Sequence, residues 1–219
     1  MLEIHNLKKL YSSGKGLHSV SMSVSPGTIT AVIGPNGAGK STLFNVLNGI
    51  LNRQSGSCTI ENKDISALPL AQTGFLPEAK FLIDNFTVIQ MIDYIVCMKK
   101  LAVDEDKIDW LLNGFSLSHQ KNVLISDLSQ GMKKRVSIIC AVIGFPKLII
   151  LDEPLNALDI QSVLFLKRIL IELKKHGCYI LISSHVLDFL DGLTDKVIFL
   201  KDGRIILDCL YDGTKIEKL

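Results

Sequence analysis

The chain has 219 residues, 47% of them hydrophobic, with 24 basic and 22 acidic side chains and a formal net charge of +2. That length and apolar content support one large domain, or a core carrying a smaller lobe. The near-balanced charge argues against a dedicated nucleic-acid binder, which shows a strongly basic face. Five cysteines (Cys58, Cys97, Cys140, Cys178 and Cys209) stand singly with no C-x-x-C pair. This predicts buried thiols in a reducing compartment and neither a disulfide framework nor a zinc site.

In chain order, the opening MLEIHNLKKLY has an acid and two lysines but no apolar core, so no secretory signal is expected. LEIHNLKKLY, LHSVSMSV with its period-2 alternation, TITAVIG and GSCTIENKDI read as short strands, with Pro26-Gly27 marking a turn between the second and third. From Phe86 the character changes. Val88, Ile89, Met91, Ile92, Ile95 and Val96 recur at helical spacing, and Trp110, Leu111 and Leu112 belong to a second helical run. KLIIL at 147–151 and CYILIS at 178–183 are apolar runs of the kind found in buried parallel strands, and the helical stretch 161–175 between them makes a β-α-β unit. KVIFLKDGRIIL predicts a hairpin turning at Asp202-Gly203. The longest apolar stretch, Val136 to Leu151, is interrupted by Ser137, Gly144, Pro146 and Lys147 and is too short to span a bilayer, so the expected location is the cytoplasm.

GPNGAGKS at 34–41 fits G-x-x-x-x-G-K-[ST], with an apolar strand before it and a helical run after it. Gly37 and Gly39 let successive backbone N–H groups curl around phosphate oxygens at a helix N-terminus. In such a loop Lys40 reaches the β and γ phosphates, and the Ser41 hydroxyl ligates Mg²⁺. A nucleotide site of this type needs an acid at the carboxyl end of a buried strand, and LIILDEP supplies Asp152 there, beside Glu153. Asp152 suits Mg²⁺ through its water shell, and Glu153 suits polarising an attacking water.

On these motifs the chain resembles an ATP-binding cassette (ABC) ATPase, the nucleotide-binding subunit of a transporter, over essentially its whole length. The resemblance implies an α/β fold: a phosphate-loop ATPase core with a mostly parallel sheet, an N-terminal antiparallel β subdomain and an inserted α-helical subdomain. It implies one ABC ATPase domain over 1–219, with core and β subdomain at about 1–77 and 139–219 and the helical subdomain at about 78–138. Tyr11 matches the family's adenine-stacking aromatic. The segment GPNGAGKST, with Gly34, Asn36, Gly37, Ala38, Gly39, Lys40, Ser41 and Thr42, matches its phosphate loop. Asp159 in LDEPLNALD matches the D-loop aspartate, and His185 in SSH matches the switch histidine that contacts the γ-phosphate. By resemblance Lys40, Glu153 and His185 are the catalytic set, and Ser41, Asp152 and Glu78 the metal set. Read without the family, Tyr11 is an ordinary strand aromatic, His185 a loop histidine and Asp159 a helix N-cap.

Two places depart from the family pattern. Glu78 in TGFLPE stands where the family has its Q-loop glutamine, and LSQGM at 128–132 stands where it has LSGGQ. Ser129 and Gly131 remain, and a hydroxyl beside a bare backbone N–H at a helix start binds anions. The same stretch also reads as a plain capped helix start, with Asp127 as N-cap and Gln130 closing a capping box. Lys133, Lys134 and Arg135 read as a solvated helix face before they read as ligands.

The resemblance implies ATP and Mg²⁺ as cofactors and a second ABC ATPase subunit as partner. Two subunits packed head to tail would share each ATP between the phosphate loop of one and the signature of the other. It also implies an integral membrane permease as partner, placing the chain peripherally on the cytoplasmic face, with no nucleic-acid partner. GFLPE, the helical lobe beginning NFTV and LSQGMKKR resemble bacterial drug and antibiotic exporters. The rival reading is a soluble ABC ATPase for macromolecular assembly, such as iron–sulfur cluster biogenesis. DNA-repair members carry long coiled-coil insertions, and this sequence has no such heptad run. A small phosphate-loop kinase leaves Ser129, Gly131, Asp159 and His185 unexplained.

Overall fold

The structure, a computed structural model, describes residues 1–78 and 81–211, apart from the side chains at 187 and 188. In these residues ten strands form two sheets: β1 (Leu2–Leu10), β2 (Gly16–Val24), β3 (Thr28–Ile33), β4 (Ser55–Ile60), β5 (Lys63–Asp64), β6 (Thr73–Leu76), β7 (Leu148–Leu151), β8 (Tyr179–Ser183), β9 (Lys196–Lys201) and β10 (Arg204–Leu210). Among the described residues six α-helices accompany them: α1 (Lys40–Leu47), α2 (Val88–Met98), α3 (Glu105–Gly114), α4 (Gln130–Val142), α5 (Ile160–Lys175) and α6 (Leu187–Leu190). None of the described helices is long and apolar enough to cross a membrane.

The first sheet is antiparallel, in the order β2-β1-β4-β5. In β2 the apolar Leu17, Val20, Met22 and Val24 are buried while Ser19, Ser21 and Ser23 face solvent, as a sheet with one wet face requires. The run GSCTIENKDI is two strands, not one. Glu61 and Asn62 both take positive φ (50° and 64°), the signature of a tight two-residue hairpin, and they fold β5 back on β4.

The second sheet runs β10-β9-β3-β8-β7-β6, parallel throughout except for the β9–β10 hairpin at its edge. That hairpin turns at Asp202-Gly203, with φ of 46° and 69°, as the sequence pattern predicts. The apolar runs of β3, β7 and β8 exist because both faces of this sheet are covered. Alternate residues go to different cores. Ile29, Ala31, Ile149, Leu151, Ile180 and Ile182 join the helices α2–α5, whereas Val32, Leu148, Ile150, Tyr179 and Leu181 join α1 and the antiparallel sheet. Sequence position in a strand thus decides which layer a side chain holds.

The helices begin where local chemistry satisfies their first amides. Thr87 and Gln90 form a reciprocal capping box on α2, and Asp104 caps α3 through the Lys107 N–H at 3.2 Å. α4 packs against β6, and the segment between β6 and β7 shares one continuous core with the parallel sheet. All five cysteines are free thiols. Cys58, Cys140 and Cys178 are buried as expected, but Cys97 is exposed on the outer face of α2, and Cys209 is half-buried because its strand is the sheet edge, though it packs against the core.

One ion pair fastens the β4–β5 hairpin to the segment after α1. The Arg53 guanidinium grips Asp64, whose carboxylate also accepts from the Ser66 N–H at 3.0 Å. Arg53, with help from Ser66, holds the Asp64 carboxyl at about 2 against an ordinary 3.8. A carboxyl lowered on folding contributes stability above its unfolded pKa and loses it as pH falls through the folded one. The expected result is an acid limb in urea-melt stability between pH 3.8 and about 2 that Asp64→Asn flattens. An unchanged limb in that variant would show the pair to be screened by solvent.

Candidate active site

The loop between β3 and α1 is shaped by its neighbours as well as by its glycines. Gly34 sits at φ 150°, where a Cβ would lie 2.0 Å from the Leu200 carbonyl oxygen of β9. The Gly203 N–H of the β9–β10 hairpin donates to the Ala38 carbonyl at 2.9 Å, so the hairpin supports the loop from beneath. Gly39, at φ 108°, stands at the N-cap of α1 without a side-chain cap, leaving the helix's first amides for an outside acceptor. Lys40 is only 7% exposed, and its Nζ donates to the Gly34 carbonyl at 2.7 Å and the Pro35 carbonyl at 3.3 Å. The ammonium therefore lies folded across the loop it would share with a phosphate chain.

The opposite wall is the carboxyl end of β7. The Asp152 N–H donates to the Leu76 carbonyl at 2.9 Å, which sets this acid between the ends of β6 and β7. Asp152 and Glu153 are 2% and 5% exposed. The Ser183 hydroxyl donates to Asp152 Oδ1 at 2.6 Å and accepts from the Glu153 N–H at 2.9 Å. Glu153 has φ 47°, a left-handed backbone that costs a non-glycine residue about 1–3 kcal/mol and persists only where surrounding contacts impose it. Burial pushes the Glu153 carboxyl above the usual carboxylate range, countered by His185 and Lys40. His185 donates its backbone N–H to Glu153 Oε2 at 3.3 Å, and its Nε2 stands 3.0 Å from Oε1. Oε1 is buried and makes no hydrogen bond beyond that ion-pair contact.

A cleft of ≈ 400 Å³ joins these parts. It brings together Tyr11, residues 36–42, Glu78, Asp152, Glu153 and His185 from the predicted set. Tyr11 is 44% exposed at the rim, its hydroxyl 3.4 Å from Thr42 Oγ1, which leaves the ring face accessible for stacking. Ser41 Oγ lies 3.5 Å from Glu78 Oε2, a long contact. Gly34 lies under the loop and does not line the cleft. Ser13, Lys15 and Gly16 do line it, and sequence reasoning missed them because the β1–β2 turn carries no motif of its own.

Ser129, Gly131 and Asp159 do not line this cleft. They stand instead at the starts of α4 and α5, which touch through Gly131 against Ala157 and Arg135 against Asp159. Ser129 caps α4, its Oγ accepting from the Met132 N–H at 3.3 Å. The expectation of Asp127 as N-cap fails, because Asp127 closes the preceding 3₁₀ turn and its carboxylate is taken by the Ser126 hydroxyl. A Cβ on Gly131 would lie 2.6 Å from the Ala157 carbonyl, so glycine here is also a packing requirement. Asp159 caps α5 through the Ser162 N–H at 2.8 Å and pairs with Arg135 at 3.3 Å.

The reading of residues 133–135 as a solvated face is corrected by the structure. Lys133 donates to the Ser126 carbonyl at 3.0 Å, Lys134 to the Asp152 carbonyl at 3.4 Å, and Arg135 to the Phe115 carbonyl at 3.0 Å. All three reach inward because backbone carbonyls at the ends of neighbouring segments need donors. Burial pushes the Lys134 ammonium down, countered by Asp152, Glu153 and Glu78.

A glycine-rich loop at a helix start, a lysine folded into it and buried acids at the facing strand end define a phosphate-loop nucleotide-binding protein. The family model described as "ABC transporter" matches residues 17–156. The chain is 38% identical over its full length to "Lantibiotic transport ATP-binding protein SrtF" of Streptococcus pyogenes, covering 95% of that protein. It is 34% identical, over 94% of its length and 89% of the relative's, to "Lipopolysaccharide export system ATP-binding protein LptB" of Haemophilus influenzae. A solved "ATP binding subunit of ABC transporter" superposes with a TM-score of 0.89 at 27% identity, covering 100% of this chain and 97% of that one. The chain belongs to the ABC transporter family, as one of its nucleotide-binding subunits.

Gly131→Ala provides a direct check on the contact between α4 and the segment before α5. Forcing a methyl against a backbone oxygen is expected to cost about 1–3 kcal/mol, seen as a lower melting temperature. An unchanged melt would mean that the 154–159 segment yields without cost.

Proposed function

We propose that this chain is the ATP-hydrolysing subunit of an exporter, working as a head-to-tail pair that closes on two ATP molecules and drives a separate membrane permease. The observation that carries the reading is the separation of parts. Loop, lysine, acids and histidine share one cleft, whereas Ser129, Gly131 and Asp159 lie outside its lining, at the starts of α4 and α5. A helix start capped by Ser129 with glycine in its first turn suits a phosphate, and it stands outside the lining of this chain's own cleft. A two-fold pair of chains supplies the missing half to each cleft. The names of the streptococcal and Haemophilus relatives, one a transport and one an export protein, support the transporter reading. Cargo selection then belongs to the permease, which would hold the chain at the cytoplasmic face of the membrane. We assign α2, α3 and the first turns of α4 to the lobe that moves when the pair closes.

The residues present fit a magnesium nucleotide. Among the described residues no three His, Cys, Asp or Glu side chains gather as a metal cage. Mg²⁺ commonly binds through one or two carboxylates plus phosphates and water, so Ser41 and Asp152 suffice, with Glu78 beside Ser41. When bound, the ion supplies charge neutralisation between the phosphates. The chain's own residues do the rest. Lys40 exchanges its loop carbonyls for phosphate oxygens, and the α1 amides close around them. Tyr11 stacks on the base. Glu153 Oε1, buried and making no hydrogen bond, takes one from the attacking water and then its proton. His185, ion-paired to the same carboxylate, fixes its direction and faces the transferred phosphoryl group.

Replacing that acceptor separates binding from chemistry. Glu153→Gln is expected to lower ATP turnover at least about 100-fold and to accumulate an ATP-bound dimer in size-exclusion chromatography. A variant that stays monomeric with ATP and turns over at the wild-type rate would remove Glu153 from the mechanism.

A further inference from the structure

Both acids of the cleft are held by one side chain that neither motif reading nor family resemblance singled out. Ser183 is the last residue of β8, adjacent in the sheet to the end of β7, and it is fully buried. We propose that Ser183 is a positioning residue for the acid pair, an assignment that rests on the ATPase reading above. Its single hydroxyl sets the Asp152 carboxylate and the Glu153 backbone at once.

A hydroxyl has one proton to give and two lone pairs. Ser183 gives its proton to Asp152 Oδ1 at 2.6 Å, within the range of a hydrogen bond to a charged acceptor. It takes the Glu153 N–H on a lone pair at 2.9 Å. The first bond fixes the orientation of the carboxylate through Oδ1, which would leave Oδ2 free to face a metal-bound water. The second holds the peptide at which the chain turns left-handed, and that turn aims the Glu153 side chain at His185. The remainder of β8, Tyr179 to Ile182, is apolar or aromatic and buried, so packing alone would favour another aliphatic residue at 183. An aliphatic side chain there would leave a buried carboxylate oxygen and a buried N–H unpaired, and backbone strain at Glu153 would lose its restraint. Outer partners of a metal-ligating group commonly govern both its orientation and its affinity.

The test compares Ser183→Ala and Ser183→Thr with wild type. Three quantities are read: steady-state ATP hydrolysis, Mn²⁺ affinity by electron paramagnetic resonance with a non-hydrolysable ATP analogue, and thermal melting. Ser183→Ala is expected to lower kcat and Mn²⁺ affinity about 10–100-fold, with KM for ATP within about twofold because the phosphate loop is untouched. Ser183→Thr, which keeps the hydroxyl, is expected to recover both to within about threefold. An alanine variant that matches an active wild type in kcat and Mn²⁺ affinity overturns the role of Ser183 and leaves the ATPase reading standing. Equal losses in both variants, tracking a fall in melting temperature, would make 183 a packing position and overturn it too. Wild-type chain that neither binds Mn²⁺ with nucleotide nor hydrolyses ATP would overturn both proposals together.

Discussion

Two adjacent carboxylates, each almost wholly removed from solvent, impose the central constraint on this molecule. Buried acids need donors or opposite charge, and the elements around β7 either supply these or fix the backbone that carries the acids. β6 supplies the Leu76 carbonyl that anchors the Asp152 amide, and β8 supplies the Ser183 hydroxyl. The loop after β8 brings His185, and α4 brings Lys134 against the Asp152 carbonyl. A parallel sheet suits this arrangement because its strand ends converge on one edge. The order β3-β8-β7-β6 places the phosphate loop and both acids along that edge, with β8 between them.

The same edge explains the position of the chain's C-terminal hairpin. β9 pairs with β3, and the β9–β10 turn reaches the phosphate loop through Gly203 and Ala38, while Leu200 closes on Gly34. Glycine at 34 is therefore demanded twice, once by its backbone angle and once by a neighbouring strand. A loop that must present bare amides to an anion cannot brace itself with its own side chains, so the bracing comes from segments far away in sequence.

Much of the fold was legible because its determinants are local. Apolar runs marked β3, β7 and β8, the Asp202-Gly203 pair marked the hairpin, and helical spacing marked α2 and α3. The cleft residues were legible because phosphate chemistry restricts which residue types work at which spacing. Two kinds of feature escaped. Glu61 and Asn62 turn like an Asn-Gly pair without glycine, so the β4–β5 hairpin looked like one strand. Contacts from side chains to distant backbone left no pattern at all. Lys133, Lys134 and Arg135 satisfy carbonyls 7, 18 and 20 residues away, and a cationic first turn resembles a wet surface until the tertiary fold shows otherwise. Ser183 escaped for the same reason, since a serine closing an apolar strand reads as the strand's end.

Those three cations also give α4 a particular mechanical character. Its start carries Ser129 and Gly131, Lys134 in its second turn touches Asp152, and Arg135 touches Asp159. Gly131 itself lies against Ala157, between the acids and the α5 cap. A displacement at the head of α4 must therefore disturb contacts at the acid pair and at Asp159 together, because one rigid helix carries all of them. That coupling runs through two long side chains, Lys134 on the Asp152 carbonyl and Arg135 on the Asp159 carboxylate, both carried by α4. The altered signature LSQGM keeps the two residues that this geometry uses, Ser129 as cap and Gly131 as close contact. Its two substitutions, Gln130 and Met132, fall beside those positions and leave the helix start formed.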